Sequence, residues 1–337
     1  MPGAVAEPDY ERLVEPHRAE LRAHCYRMLA SAQDAEDALQ ETMLRAWRGL
    51  AGFEGRSSLR SWLYTIATNV CLKMLERRPR LVLPVDYGPP SDPRDGPGRP
   101  VAESVWVEPF PDDRLGLDAA VAGPEARYDQ RESVELAFIA ALQHLPARQR
   151  AVLILRDVLG FSAREAAAML EATPAAVDTA LQRARRNAGE RLPERTQQAT
   201  LRTLGDRGLR RIVDAFVAAW ERADVDAVVD LLTEDALLAM PPLPAWFRGR
   251  EAIATFLALQ PLSGARASRL VPTRANGQPA FVNYVRDDER DAFVANDVVV
   301  VTIDGERIAE ITAFLTPAVV AGFGAPAITV APTGSPR

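Results

Sequence analysis

Thr179, Gln182, Arg183 and Arg186 carry the side-chain types that read nucleic acid, spaced to share one face of a helix. Glutamine matches the N6/N7 edge of adenine, arginine matches the O6/N7 edge of guanine, and hydroxyls and guanidinium groups also hold phosphate. The opposite face carries Val177, Leu181 and Ala184 at helical spacing, which calls for an apolar partner. A partner precedes it. Ser162 and Glu165 form an S-x-x-E capping box that opens a first helix through Ala166 and Leu170. Glu171-Ala172-Thr173 then breaks the period, with Thr173 as the next N-cap and Pro174 at the first helical position. Helix, short break and arginine-rich helix together read as a helix-turn-helix whose second helix enters a major groove. A plain helical hairpin with a solvated basic face has the same pattern, so this window leaves both readings open.

Other reactive side chains are sparse. Cys25 and Cys71 are the only cysteines, each within an apolar helical pattern, and read as core thiols in a reducing compartment. His24 adjoins Cys25, but no CxxC or spaced HxxxH accompanies them, so no zinc site and no cofactor are expected. In the last third, a pocket could draw on Trp220, Asp235, Trp246, Phe247, Tyr284 and Asn296. No histidine follows His144, which excludes a histidine base there. Asp235 stands where a helix turns into a strand, a position at which Asp commonly bonds its own backbone.

The elements that must position these residues fall into blocks. Residues 9–80 read as helical, with one apolar stripe from Leu13 to Leu29, a second from Leu39 to Leu50 and a third from Trp62 to Leu75. Trp47 and Trp62 are assigned to the core on that pattern. Charge reverses within the block. Residues 7–41 hold four basic and nine acidic residues, and residues 42–80 hold eight basic and two acidic. The second stretch suits a strand backbone, and the first suits a basic protein partner. Residues 81–130 form an acidic Pro/Gly-rich linker, expected to be mostly without regular structure. Trp106–Asp113 within it is aromatic enough to dock somewhere, although a local aromatic–proline cluster would have the same composition. Residues 131–195 are helical again. Residues 205–317 read as helices followed by strands, with Asp304-Gly305 as a hairpin turn, and 318–337 as a loose tail. Net charge is −6, so binding to duplex DNA alone would be weak; a subunit carried by a larger enzyme fits better. Lys73 is the sole lysine, which points to coding bias and lowers the weight of arginine counts. The N-terminus lacks a signal-peptide pattern and no apolar run spans a membrane, so a cytoplasmic location is expected.

The stretch from Asp34 to Arg78, DAEDALQETMLRAWRGLAGFEGRSSLRSWLYTIATNVCLKMLERR, resembles region 2 of the sigma-70 family, of the small extracytoplasmic-function type. With the helix-turn-helix about a hundred residues later, which resembles region 4, the resemblance covers residues 7–80 and 131–195. It implies a promoter-recognition subunit of RNA polymerase. Asp34, Asp37, Gln40 and Glu41 would dock on the largest-subunit clamp helices, and region 4 would meet the second-subunit flap. Phe53, Arg56, Ser57, Asn69 and Lys73 would read and melt the −10 element. Thr173, Thr179, Gln182, Arg183 and Arg186 would read the −35 element. Asp178 and Ala180 stand where many members carry basic residues. The linker would thread the polymerase cleft. Residues 205–317 resemble the SnoaL-like cone, and that tail together with W-V-E-P-F-P-D places the resemblance closest to the sigma factor G-like group. The fold expected is mainly α, two helical sigma domains with the second a helix-turn-helix, plus an α+β SnoaL-like cone with a curved antiparallel sheet. Its pocket residues would be Trp220, Asp235, Trp246 and Tyr284, with a small-molecule ligand as a candidate partner, and the cone is expected to regulate activity. The competing class is a SnoaL-type binding protein or isomerase/cyclase-like enzyme with a regulatory DNA-binding half.

Overall fold

The computed structural model describes residues 7–101, 105–116, 130–326 and 328–330. The chain divides into two compact units, one of Met1–Leu81 with Asp112–Pro193, the other of Val82–Pro111 with Glu194–Arg337.

The first unit is helical. Helices Glu7–Leu13, Arg18–Leu29, Ala32–Gly49 and Leu59–Leu75 form its first block. Ala30 takes a left-handed conformation (φ 54°) that ends the second helix, and Ser31 caps the third by accepting the Asp34 N–H at 3.2 Å. Ser58 likewise caps Leu59–Leu75 through the Ser61 N–H at 3.0 Å. The second block holds Leu136–Gln143, Ala147–Leu153 running into a π turn at Ile154–Val158, Ala163–Met169 and Pro174–Gly189. These blocks share one core. Arg27 is buried and donates to Ser133 O at 3.0 Å and Ser133 Oγ at 2.7 Å. Arg150 is buried and donates to Met28 O, to Gln143 Oε1 at 2.5 Å and to Gln143 O at 3.2 Å. Tyr64 meets Phe161 edge-on at 5.3 Å, and the Arg60 guanidinium lies 4.7 Å from the Phe161 ring. Apolar periodicity finds each helix but not these ties, because they run through arginines and backbone carbonyls.

The second unit is a seven-stranded sheet with helices against it. Strands run β1 Leu232–Ala239, β2 Trp246–Arg248, β3 Ser268–Ala275, β4 Gln278–Asp287, β5 Ala292–Asp304, β6 Arg307–Phe314 and β7 Ile328–Val330. The order is β2-β1-β6-β5-β4-β3, with β7 on β5. The sheet is mixed rather than wholly antiparallel as the sequence suggested, because β1 pairs with β6 in parallel. Strands β2 and β3 were not anticipated. The first is only three residues long, and β3 contains Pro272 and two arginines that hide its alternation. Helix Gln197–Glu221, broken at Gly205 (φ 68°), brings Ile212, Phe216 and Trp220 into the core with Phe247, Phe281, Val299 and Val301. Each such fully buried aromatic stabilises the fold by roughly 1.5–3 kcal/mol. Gln197 acts as a side-chain strand edge: its amide donates to Ile303 O at 3.0 Å and accepts the Ile303 N–H at 2.6 Å.

Residues 82–101 and 105–111 belong to this sheet unit and are ordered against it. Single helical turns occur at Pro84–Tyr87 and Pro93–Asp95. Trp246 Nε1 donates to Gly88 O at 2.8 Å, Ser91 N–H to Trp246 O at 2.9 Å and Val101 N–H to Pro242 O at 2.9 Å. Phe110 is fully buried, its N–H bonds Asn276 Oδ1 at 2.9 Å and its carbonyl accepts the Asn276 N–H at 3.0 Å. The docking expected of the aromatic segment therefore occurs, on the sheet. The expectation of a segment mostly without structure does not hold for these residues, because polar composition hid backbone bonds supplied by another part of the chain. Part of the predicted loose tail is also ordered, as helix Pro317–Gly322 and strand β7 on Ala292–Val294. Positions 117–129 and 331–337 lie outside the described residues.

Candidate functional site

Three surfaces and one cavity carry the predicted site residues. The first surface is the helix Pro174–Gly189. Thr173 caps it, accepting the Ala176 N–H at 3.2 Å, and the preceding helix carries the full Ser162/Glu165 capping box. Bonds from Ser162 hold the Glu165 carboxyl below its ordinary range. Val177, Leu181 and Ala184 are buried, while Thr179, Gln182, Arg183 and Arg186 are exposed along one stripe. Arg185 is tied down, donating twice to Asp157 at 2.8 and 2.7 Å, which raises its pKa. The stripe thus presents two arginines and a glutamine beside a third arginine that anchors the helix. This is a charge pattern suited to a DNA groove.

The second surface lies on Leu59–Leu75 and the loop before it. Phe53 packs on Trp62 with ring centroids 5.2 Å apart, and both are half-buried. Arg56 and Ser57 are exposed in the loop, Arg56 beside Glu54 at 3.3 Å. Asn69 and Lys73 are exposed one turn apart on the helix. Trp62 is therefore a half-open platform rather than the core residue the stripe implied.

The third surface is the helix Ala32–Gly49. Asp37 and Gln40 are exposed and Glu41 is half-buried, paired with Arg45 at 2.6 Å. Asp34 departs from expectation. It is buried, and its carboxylate is engaged by Arg78, so it braces the helix N-terminus instead of facing a partner. Two apolar residues take a place beside the exposed polar ones: Leu44 and Trp47, 41 % and 43 % exposed. Trp47 was assigned to the core; in the structure it is exposed, with Tyr10 packed near-perpendicular to it at 4.9 Å. Helical periodicity could not separate these two from core residues, because an interface stripe and a core stripe have the same period.

The cavity lies in the sheet unit and measures about 470 Å³. Trp220 lines it; Asp235, Trp246 and Tyr284 do not. Asp235 is exposed, Trp246 holds Gly88, and the Tyr284 hydroxyl donates to Pro326 O at 3.1 Å. The cavity's polar lining comprises Gln260, Ser263, Arg266 and Ser268 and a bonded cluster of Asn283, Asn296 and Asp297, of which the sequence singled out only Asn296. A bulge creates this cluster. Asn283 pairs with Asp297 and Tyr284 with Ala295, so Asn296 is the extra residue of β5. Two adjacent residues, which ordinary pleating would send to opposite faces, then share the cavity wall. Asn283 Nδ2 and Asn296 Nδ2 donate to the same Asp297 oxygen at 2.8 and 2.6 Å. Burial raises the Asp297 carboxyl to about 6 against the opposing pull of the two amides. The adjacent polar pair Asn296-Asp297 ahead of four valines was the only sequence signal for it.

Among the described residues, no group of three or more His, Cys, Asp or Glu is placed to hold a metal, and no helix is long and apolar enough to cross a membrane.

Comparison with known proteins places these surfaces in context. The family descriptions that match are Sigma-70 region 2 over residues 13–81, Sigma-70, region 4 over residues 135–187, and SnoaL-like domain over residues 213–311. The ECF RNA polymerase sigma factor SigG of Mycobacterium tuberculosis is 41% identical over 319 residues, covering 94% of this chain and 84% of that protein. SigE of Mycolicibacterium smegmatis, also an ECF RNA polymerase sigma factor, is 29% identical over 198 residues, 57% of this chain and 65% of that one. Among solved structures, the extracytoplasmic function sigma factor SigJ of Mycobacterium tuberculosis superposes with a TM-score of 0.59 at 22% identity, covering 94% of this chain and 99% of that chain.

Proposed function

Since the chain belongs to the extracytoplasmic-function sigma factors of RNA polymerase, with a SnoaL-like domain after regions 2 and 4, we propose how its surfaces divide the work. The protein directs core polymerase to promoters, and its partners are that enzyme and promoter DNA. It works in the cytoplasm, where polymerase and promoter are. Thr179, Gln182, Arg183 and Arg186 read the −35 element, with Thr173 at the phosphate-facing helix start. Phe53, Arg56, Ser57, Asn69 and Lys73 form the −10 surface, with the half-open Trp62 beneath Phe53. Asp37, Gln40 and Glu41, joined by Leu44 and Trp47, contact the polymerase. The observation that carries this reading is the exposed stripe on Pro174–Gly189, whose opposite face is fully committed to packing.

The SnoaL-like domain regulates rather than catalyses. Its cavity holds one carboxylate, Asp297, already shared by two amides, and no histidine. Arg266 is the only other titratable group on this wall, and an arginine that stays protonated makes a poor acid–base partner.

The test is run-off transcription with core polymerase and Arg183→Ala. Loss of one base contact lowers discrimination at a single −35 position by about 1–3 kcal/mol and leaves core binding intact. An unchanged −35 preference would remove Arg183 from the reading face. Absence of any promoter-dependent start with the unaltered protein would remove the functional reading itself.

A further inference from the structure

Asp178 is the one acid in the arginine-rich helix Pro174–Gly189, and nothing in that helix accounts for it. It is the fifth residue and lies beyond the first turn, so the helix dipole gives its carboxylate little. The residues three and four away are Pro174, Ala175, Leu181 and Gln182, so no ion pair forms within the helix. Arg185 stands two turns on along the same side, but Asp157 holds it at 2.8 and 2.7 Å. Asp178 is exposed, and among the described residues no cation pairs with it. On a helix that enters a major groove, such a carboxylate comes within the screening length of the phosphates, about 8 Å at physiological ionic strength. It therefore weakens binding to every DNA sequence alike, unless one base compensates it with a hydrogen bond.

We infer that Asp178 is a specificity determinant that accepts a hydrogen bond from the N4 amino group of a cytosine in the −35 element. An ionised carboxylate can only accept. In the major groove guanine and thymine turn acceptors towards it, and adenine sets an acceptor beside its donor. Cytosine alone presents a donor without an acceptor. Asp178 lies one turn before Gln182 on the same side of the helix. Four residues rise about 6 Å, which is about two base steps of 3.4 Å for a helix lying along the groove. The cytosine therefore falls within about two base pairs of the adenine that suits Gln182. The same charge repels the acceptor edges of the wrong bases, so discrimination comes from repulsion as well as attraction. This inference deepens the assignment of the helix to the −35 element and rests on it.

The experiment is transcription by core polymerase with the full chain, from templates whose −35 region is randomised and each of which carries a transcribed barcode. The unaltered chain, Asp178→Ala, Asp178→Asn and Arg183→Ala are compared, with circular dichroism establishing that each is folded. The unaltered chain should favour cytosine at one position by about tenfold. Asp178→Ala should remove that preference at that position alone. Asp178→Asn should move it to adenine, whose N6/N7 edge an amide matches bidentately. Arg183→Ala should instead remove a guanine preference at a different position. If Arg183→Ala loses its preference while both Asp178 variants keep every preference of the unaltered chain, the −35 reading stands and the cytosine contact is refuted. Higher output from Asp178→Ala on all templates alike would make the carboxylate a repelling charge only, which also overturns the inference. If neither residue's variants change any preference, the −35 reading falls and the cytosine contact with it.

Discussion

The two units hold their most strongly shifted titratable groups in different ways, although the helical unit also buries the carboxylates of Asp34, Asp112 and Glu135. The helical unit encloses bases. His24 is fully buried, and burial drives its pKa down to about 3; Arg27 and Arg150 are held at about 10 for the same reason. The sheet unit encloses an acid, Asp297, raised to about 6 by burial. The satisfaction strategies differ as well. The arginines find backbone carbonyls from separate segments, Ser133 in a turn and Met28 in a helix, so in the helical unit a charge joins residues far apart in sequence. Asp297 is served by Asn283 and Asn296 on the same two strands, through a bulge, on the wall of a cavity. Buried charge thus ties distant segments together in one unit and stays local to two strands in the other. Acid should consequently act on His24 and Asp297 with opposite sign.

The largest effect is expected in the helical unit. Unfolded His24 takes up a proton as pH falls below its ordinary 6.5, whereas the folded form resists until about 3. Its contribution is intact above 6.5 and is lost as pH falls, by about 4 kcal/mol near pH 3. Hydrogen exchange of amides in Arg18–Leu29 as a function of pH measures this, and His24→Gln, which can keep the bond to Thr68, should flatten the profile. An unflattened profile would mean that other groups carry the acid response of that unit.

Arg150→Met should cost the helical unit about 3 kcal/mol, because the carbonyls of Met28 and Gln143 lose their donor inside the core. Chemical denaturation followed by exchange in each unit checks it. Equal loss in the sheet strands would show that the units do not unfold separately and would dissolve the comparison.

The smallest effect has the reverse sign. Folded Asp297 holds its proton up to about 6 while the unfolded group releases it near 3.8, so the native sheet is penalised as pH rises through that window. Asp297→Asn should therefore stabilise the sheet unit by about 2 kcal/mol at pH 8 and by nearly nothing below pH 4. Exchange at Val298–Val301 reads it out. Stabilisation independent of pH would assign the gain to packing instead of charge.

Legibility followed the range of the interactions. The Ser162/Glu165 capping box, the Thr173-Pro174 start and the buried stripe Val177, Leu181, Ala184 are local, and the structure has each of them where the residues put it. The exposed stripe of Thr179, Gln182, Arg183 and Arg186 follows from the same period. Asp34 was misread because its partner, Arg78, lies on another segment, and Trp47 because exposure of an apolar residue leaves no mark on periodicity. The cavity was misread most. Asp235, Trp246 and Tyr284 were reasonable by residue type, yet the bulge at Asn296 chose Asn283 and Asp297 instead.

The sequence by itself determined the helices, their caps, the helix-turn-helix, the strand-rich last third and the family, because these depend on residues within a few turns of one another or on a long ordered pattern of residue types. Only the tertiary structure decided that residues 82–101 and 105–111 lie on the sheet, that the two helical blocks share a core through Arg27 and Arg150, and which carboxylate faces the cavity. Those outcomes depend on backbone groups finding partners across the fold and on one extra residue in a strand, and neither leaves a period in the chain.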